Sequence, residues 1–421
     1  MLESTESLLP PSPAHEPLKV LITGLEHPSL DELERLLHTL GVVPVGRVLM
    51  TRTKINPATY IGKGKLEEIK LEAEAKGAGA VIVDIELSPN QLRNVEAALG
   101  GKPVLDRPGV IIEIFSRHAR TKESKTQVEL ARLQYLLPRL AHFWTHFERQ
   151  RGGIGNKGMG EKQIEVDRRL VKKRMQILND RLGTVENERN LQRSGRKDVL
   201  KVALVGYTNA GKSTLLNAMT HSSVRAEDKL FATLDPSVRA LNPDSHPPIV
   251  AIDTVGFISN LPPSLVASFR STLEELHEAD LLLHIVDASA TNAREQHQVT
   301  EEVLEELGLK DKPRITVLNK ADLAVDRSAR NWARLAVPGA MTVSALNPSD
   351  VIQLRETVLE HFRKGLEIWE VVVPYAESRL EAMLHAHGSV ERTTHMEKGT
   401  FYRLRIEAGW AKKLELEKYR T

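Results

Sequence analysis

The sequence predicts an α/β protein built of several parts. A central domain with a mostly parallel sheet is preceded by a small α/β domain and an antiparallel helical pair, and followed by a small α+β domain. Three observations support this. Short apolar runs typical of buried strands alternate with helical patterns, first between residues 18 and 115 and again from residue 200. From residue 121 to about 196 the apolar residues instead recur every three or four positions and then every seven. A glycine-rich loop after Val205 joins a strand to a helix. The expected boundaries are 1–16 for a tail, then 17–118, 119–196, 197–364 and 365–421.

Composition sets the outer limits. A chain of 421 residues is long enough for two to four domains, each with its own core. The formal net charge of +2 and charged fraction of 27% mark no charged partner for the chain as a whole. There are no cysteines, which excludes disulfides, a thiolate zinc site and a thiol nucleophile. No apolar run approaches the ~20 residues that span a bilayer. The acidic start Met1-Leu-Glu-Ser-Thr-Glu-Ser7 lacks the basic segment and apolar core of a signal peptide. A cytoplasmic monomer without a membrane anchor is expected.

Residues 1–16, rich in Ser, Pro and Glu, read as disordered. A strand follows over Leu18–Thr23, and Ser29 opens a helical pattern as its capping residue. Val42–Met50 is strand-like, Leu66–Ala75 helical, Gly79–Asp84 a buried strand and Pro89–Leu99 helical. Pro103–Asp106 and Val110–Phe115 finish this α/β domain. Within it, Tyr60-Ile-Gly-Lys63-Gly-Lys65 leads into a helix, where glycines and lysines can hold a phosphate of RNA or of a nucleotide. The spacing of a full phosphate loop is missing, so these residues by themselves favour a solvated basic turn.

In the next segment Leu130, Leu133, Leu137, Leu140, Trp144 and Phe147 share one helical face. Ile164, Val171, Leu178 and Val185 lie seven apart, as do Met175 and Leu182. Two such seams with a short connection form an antiparallel pair, the first helix kinked at Pro138. The connection holds Gly152, Gly153, Gly155, Gly158 and Gly160, five glycines in nine residues, a composition that opposes a helix. With Arg151 and Lys157 beside them, and thirteen Lys/Arg against six Asp/Glu from Arg151 to Lys197, the tip suits entry into an RNA groove. A plain loop on a solvated basic helix is the alternative. His142 and His146 have metal-compatible spacing but no third ligand, so they read as surface or packing residues, as do His385 and His387.

The central domain carries the chemistry. Lys201–Val205 is a strand, and Thr214 begins a helix. Between them Gly206-Tyr207-Thr208-Asn209-Ala210-Gly211-Lys212-Ser213 fits the phosphate loop G-x-x-x-x-G-K-[ST]. Its amides and the helix N-terminus attract an anion, Lys212 can reach the β- and γ-phosphates, and Ser213 can ligate Mg²⁺. The strand Ile249–Ile252 delivers Asp253-Thr254-Val255-Gly256, where Asp253 can hold the same ion. The strand Arg314–Leu318 delivers Asn319-Lys320-Ala-Asp322. Asp322 can accept from the ring N–H and exocyclic amine of guanine, a donor pair that adenine lacks. Ser344-Ala345 can support the base from the other side. Phe231-Ala232-Thr233-Leu-Asp-Pro236 lies where a switch segment belongs, with Thr233 as its Mg²⁺ ligand. The order and spacing of these motifs define a guanine-nucleotide domain. Beyond it, Trp369–Pro374, a helix over Tyr375–Ala386 and a strand over Thr400–Glu407 form an α+β appendage.

These residues resemble the HflX family, translational GTPases that act on ribosomes. The resemblance covers nearly the whole chain. It is carried by Tyr60-Ile-Gly-Lys-Gly-Lys65, Leu87-Ser-Pro-Asn-Gln-Leu-Arg-Asn94, Gln127-Val-Glu-Leu-Ala131, Tyr135-Leu-Leu-Pro-Arg-Leu140 and Arg151-Gly-Gly-x-Gly155, together with the nucleotide motifs. It implies that the N-terminal domain and helical pair bind the large ribosomal subunit and its RNA, the glycine-rich loop pointing towards the peptidyl-transferase region. It further implies splitting or rescue of stalled ribosomes under heat stress, and ATP binding by the N-terminal half. The sequence departs from the family at Met159, usually Pro, and at Lys162, usually Thr.

Phe257 stands where many GTPases place a water-orienting Gln, so intrinsic hydrolysis should be slow. Lys212, Thr233 and Gly256 are then the groups that face the reacting phosphate. Asn209 suits a K⁺ ion held beside the phosphates, as in some related GTPases. The competing reading is an RNA scaffold whose GTP is structural, which the intact Lys212, Ser213, Thr233 and Asp253 disfavour. A membrane-linked signalling switch would need an anchor or lipidation motif that the chain lacks.

Overall fold

The computed structural model describes residues 7–10, 16–50, 55–140, 157–194, 199–220, 230–231, 237–242, 248–259, 275–324, 331–332 and 335–421, with only the backbone for 157–164, 186, 188–194 and 242. The chain divides into two compact units, the first holding residues 1–190 with 227–235 and 260–271, the second the remainder.

The first unit begins with alternating strands and helices: β1 (Lys19–Gly24), α1 (His27–Thr39), β2 (Val43–Leu49), α2 (Lys63–Ala75), β3 (Ala80–Val83), α3 (Pro89–Ala98), β4 (Val104–Asp106) and α4 (Arg107–His118). The strands form a parallel sheet in the order β2-β1-β3-β4. Both of its faces are covered by helices, so β3 is buried at all four positions. Ser29 does not cap α1, which starts at His27 behind Glu26 with Pro28 in its first turn. The Ser29 hydroxyl is instead bonded to Asp84. Val110–Phe115 lies inside α4, whose N-cap Asp106 accepts from the Gly109 amide. Part of the stretch read as disordered is packed: Leu9 is buried, and Ser7 Oγ and the Leu8 amide both donate to Glu113.

The helical pair follows as α5 (Lys122–Leu136) and α6 (Lys157–Ser194). Leu130, Leu133, Leu140, Val171 and Leu178 form its seam, with Leu137, Met175 and Leu182 at the margin. Pro138 ends α5 in a 3-10 turn over Leu137–Arg139. Trp144, Phe147, His142 and His146 lie outside the described residues. The expected loop 152–160 needs a correction: α6 begins at Lys157, so Lys157, Gly158, Met159 and Gly160 are helical. Each glycine costs about 1 kcal/mol in a helix, which a helix of 38 residues absorbs by propagating from its packed part. Arg151, Gly152, Gly153 and Gly155 lie outside the described residues.

The second unit contains β5 (Leu200–Gly206), α7 (Lys212–Thr220), β6 (Ser237–Asn242), β7 (Ile249–Asp253), β8 (Leu281–Asp287), α8 (Ala293–Glu306), β9 (Arg314–Asn319), β10 (Met341–Thr342) and α9 (Pro348–Arg363). Its sheet runs β10-β9-β8-β5-β7-β6, parallel except for β6. Val202, Leu204, Leu283 and Ile285 pack against Leu215 and Leu216 of α7 and Leu354 and Val358 of α9. The parallel strands β5, β7 and β9 therefore end together on one rim, the usual place for a ligand in an open α/β sheet. The unit closes with β11 (Glu367–Val373), α10 (Ser378–His387), β12 (Gly388–Met396), β13 (Gly399–Ile406) and α11 (Ala408–Lys413), an antiparallel sheet ordered β11-β13-β12. His385 meets Tyr402 edge-on and His387 stacks on Trp410 at 3.6 Å, both packing roles.

Candidate nucleotide site

The phosphate loop follows β5 because Gly206 ends that strand and Lys212 starts α7. Asn209 (φ 61°) and Gly211 (φ 88°) take left-handed backbone conformations that turn the chain back on itself. At Gly211 a side chain is excluded as well, since a Cβ would lie 2.3 Å from Asn319 Nδ2. Lys212 is buried, and its Nζ donates to the carbonyls of Gly206 (3.1 Å) and Tyr207 (2.8 Å). Burial pulls its pKa down to about 8 against the opposing charge of Asp253. A buried ammonium with so little compensating charge is a binding element for an anion. Thr208 Oγ1 is buried nearby without a hydrogen-bond partner.

Ser213 Oγ donates to Asp253 Oδ2 at 2.6 Å, which joins the two expected Mg²⁺ ligands that are described. A hydroxyl and a carboxylate at this distance suit a hard cation that keeps several waters. Thr233 and Ala232 lie outside the described residues. Phe231, two positions before Thr233, belongs to the first unit, where it is 2% exposed and meets Phe115 edge-on at 4.6 Å.

After β7, Thr254 Oγ1 donates to the Leu204 carbonyl (2.6 Å). Gly256 lies against the phosphate loop, where a Cβ would come within 2.7 Å of Thr208 Cα and 3.0 Å of Lys212 Nζ. Val255 and Phe257 are buried, so the phenyl ring at the Gln position is packed in the protein.

The base end is made by side chains that bind one another. Asn319 Nδ2 donates to the Ala210 carbonyl (2.9 Å), and its Oδ1 accepts from the Ala345 amide (3.1 Å). One buried asparagine thus ties the phosphate loop to the strand-end loop after β10. Ser344 Oγ donates to Asp322 Oδ1 (2.6 Å), and the Ser344 amide donates to Asp350 in the first turn of α9 (2.8 Å). Lys320, at φ 59°, pairs with Asp287 at the end of β8 (2.8 Å). Asp322 itself is exposed, and its carboxylate edge is open to an incoming ligand. The sequence motifs located these residues but did not show Asp287 and Asp350, whose separations in the chain follow no short pattern.

Elsewhere in this unit His284, His297 and Glu301 bring possible ligand atoms within 4.8 Å of one another. They do not form a metal centre as arranged. The two imidazoles are stacked at 4.5 Å with an interplanar angle of 18°, so their in-plane lone pairs do not converge. Glu301 is already bonded to His284 Nδ1 (3.0 Å) and Arg314.

A carboxylate poised for a donor pair and an ammonium poised for phosphates, at the rim of a parallel sheet, define a P-loop GTPase. Family models agree with this. Residues 27–116 match the N-terminal region of a GTP-binding GTPase, 118–196 its middle region, and 201–320 a 50S ribosome-binding GTPase. The chain is 43% identical to GTPase HflX of Caldanaerobacter subterraneus subsp. tengcongensis over 373 residues, covering 88% of this chain and 86% of that one. It is 40% identical to GTPase HflX of Escherichia coli K12 over 379 residues, covering 88% of each. The chain belongs to the HflX family of ribosome-binding GTPases. Among solved structures it is similar to a GTP-binding protein of Sulfolobus solfataricus in complex with GDP, at 25% identity and a TM-score of 0.43, covering 82% of this chain and 98% of that one. Among the described residues no helix is long and apolar enough to cross a membrane.

Proposed function

We propose that this protein couples a GTP cycle to binding of the large ribosomal subunit, and so splits or rescues stalled ribosomes in the cytoplasm under heat or related stress. The observation that carries this reading is the joint presence of the two ends of the cleft: Asn319, Asp322 and Ser344 on one side, Lys212, Ser213 and Asp253 on the other. Asp322 selects guanine, with Ala345 and Lys320 framing the base. Ser213, Asp253 and Thr233 would hold Mg²⁺, which would neutralise phosphate charge. Lys212 and the Gly256 amide bind the transferred phosphoryl group. The loop from Arg151 to Asn156 and the start of α6, with Lys157, Gly158 and Gly160, face ribosomal RNA.

Slow hydrolysis follows from Phe257, whose ring cannot orient water. The ribosome supplies the missing rearrangement. The test is GTP turnover with and without purified ribosomes and large subunits at fixed salt. Stimulation of at least tenfold by the large subunit is expected. Unchanged turnover with intact GDP binding would overturn the ribosomal coupling. Repeating the measurement in K⁺ and in Na⁺ tests whether Asn209 holds a monovalent ion, which equal rates would exclude. ATP binding by the N-terminal half would fall at Lys63 and Lys65 in the first turn of α2, where Lys65 is paired with Glu68 at 2.6 Å. ATP that binds the GDP-saturated protein without displacing GDP would support it. Light scattering of the GTP-bound protein checks the monomer.

A further inference from the structure

The segment after Asp253 is fixed to the phosphate loop by an unusual set of bonds. The Phe257 amide donates to the Gly206 carbonyl (3.1 Å), and the Thr208 amide donates to the Phe257 carbonyl (2.7 Å). The two stretches thus form a short parallel bridge between Tyr207 and Phe257. Beyond it, the Tyr207 hydroxyl and Ser259 Oγ share a hydrogen bond of 2.5 Å, and the Ser259 amide donates to the same Tyr207 oxygen (2.8 Å). Tyr207 is 3% exposed and Ser259 half-buried, so these bonds are partly shielded from water.

This bridge sets the position of Gly256. The glycine is pressed on Thr208 Cα and Lys212 Nζ so closely that not even a Cβ would fit. A γ-phosphate must reach the same ammonium, and its oxygens need hydrogen-bond distance to it. A diphosphate meets this ammonium with its β-phosphate from the loop side and leaves the space beside Gly256 unclaimed. We infer that the Tyr207–Ser259 pair is a latch that favours GDP over GTP, because it holds Gly256 where the third phosphate must enter. Tyr207 and Ser259 are positioning residues of the site, acting through Gly256. The latched arrangement also keeps the Phe257 ring buried, and admission of GTP requires residues 256–259 to lift.

The inference rests on the GTPase reading of the site, and GDP binding tests that reading separately. The experiment measures the dissociation constants of GDP and of a non-hydrolysable GTP analogue for the full chain with Mg²⁺, by calorimetry. The variants are Ser259→Ala, Ser259→Thr, Tyr207→Phe and the double variant Tyr207→Phe/Ser259→Ala. Loss of a buried hydrogen bond is worth about 0.5–1.5 kcal/mol, or roughly two- to tenfold in an equilibrium. In Ser259→Ala the analogue should therefore bind several-fold more tightly while GDP affinity stays constant. Ser259→Thr, which keeps the hydroxyl, should restore the wild-type ratio. Tyr207→Phe should raise the ratio of analogue to GDP affinity at least as much, because it also removes the bond from the Ser259 amide, and the double variant should match Tyr207→Phe, because the hydroxyl that Ser259 Oγ meets is already gone. An unchanged ratio in Ser259→Ala would overturn the latch, and so would additive effects in the double variant. Should Tyr207→Phe fail to fold, the Ala and Thr variants at the half-buried Ser259 still decide the question.

Discussion

The two ends of the nucleotide cleft are made in different ways. At the base end, side chains are already bonded to one another: Asn319 bridges Ala210 and Ala345, and Ser344 orients Asp322 while α9 holds Ser344. At the phosphate end the contacts are ones that a ligand must replace. Lys212 satisfies loop carbonyls, Ser213 bonds directly to Asp253, and Gly256 rests on Thr208 and Lys212. The base is the same in GTP and GDP, so a fixed pocket loses little entropy on binding it. The phosphates differ between the two, so that end must rearrange to report which is bound. The difference teaches where rigidity is useful in a switch and where it would defeat it.

Exchanging Asp322 for Asn attacks the fixed end and should have the largest effect. The carboxylate accepts two donors from guanine, and charge-assisted bonds are worth about 1.5–3 kcal/mol each. GDP affinity should drop by about 10²–10³-fold. An amide offers one donor and one acceptor, which matches the ring N–H and carbonyl of xanthine. Titration with XDP should therefore recover much of the loss. If XDP and GDP bind Asp322→Asn equally weakly, the pocket is not the preformed reader that the Ser344 contact suggests.

Gly256→Ala attacks the mobile end, with a smaller effect of a different kind. Its Cβ would lie 2.7 Å from the Thr208 backbone, a contact that neither segment can relieve by rotating a side chain. The segment must move off the loop even when GDP is bound, and the Gly256 amide can no longer settle on a γ-phosphate. GTP turnover should fall about tenfold or more while GDP affinity changes only a few-fold. Single-turnover hydrolysis and equilibrium binding, measured on one preparation, separate the two. A comparable loss in both would mean that the ends of the cleft are not independent.

How much of this was legible in the sequence follows the same division. The phosphate loop, Asp253, Asn319, Asp322 and Ser344 are short patterns at strand ends, where residue type is dictated by contact with a ligand. The structure brings those within the described residues to one rim. The central strands were legible from apolar runs such as Leu281–Asp287, whose first six residues are buried, but their order in the sheet was not. What the sequence hid depends on partners far along the chain. Ser29 has the composition of a cap, but Asp84 claims its hydroxyl. Val110–Phe115 is a short, nearly continuous apolar run that does not declare its structure, and Asp106 and Pro108 start a helix there whose first nine residues are all buried. Gly158 and Gly160 oppose a helix locally, and the long helix behind them overrides that preference. β12 passed unrecognised because its exposed residues, Glu391 and Arg392 among them, carry little apolar alternation. Tyr207 and Ser259 are unremarkable in type and gain meaning only from their contact.

The smallest effect concerns a proton, and it distinguishes the two ends without any mutation. Burial lowers the pKa of Lys212 to about 8, with Asp253 working the other way. Bound phosphates place negative charge beside the ammonium and raise that value. At pH 8 the empty protein holds about half a proton at this position, so binding GDP should take up about half a proton. At pH 6.5 the ammonium is already charged and uptake should vanish. Guanosine engages Asp322 and Asn319 but brings no phosphate, so its binding should take up none at either pH. Calorimetric titrations at pH 8 in two buffers of different ionisation enthalpy give the proton count directly. Equal uptake with GDP and guanosine would assign the proton to the base end, and with it the conclusion that Lys212 waits in the cleft as a partly discharged ammonium would fail. Uptake with GDP alone would place the whole electrostatic response at the phosphate end, in keeping with a cleft that is fixed where its ligand is constant and responsive where its ligand changes.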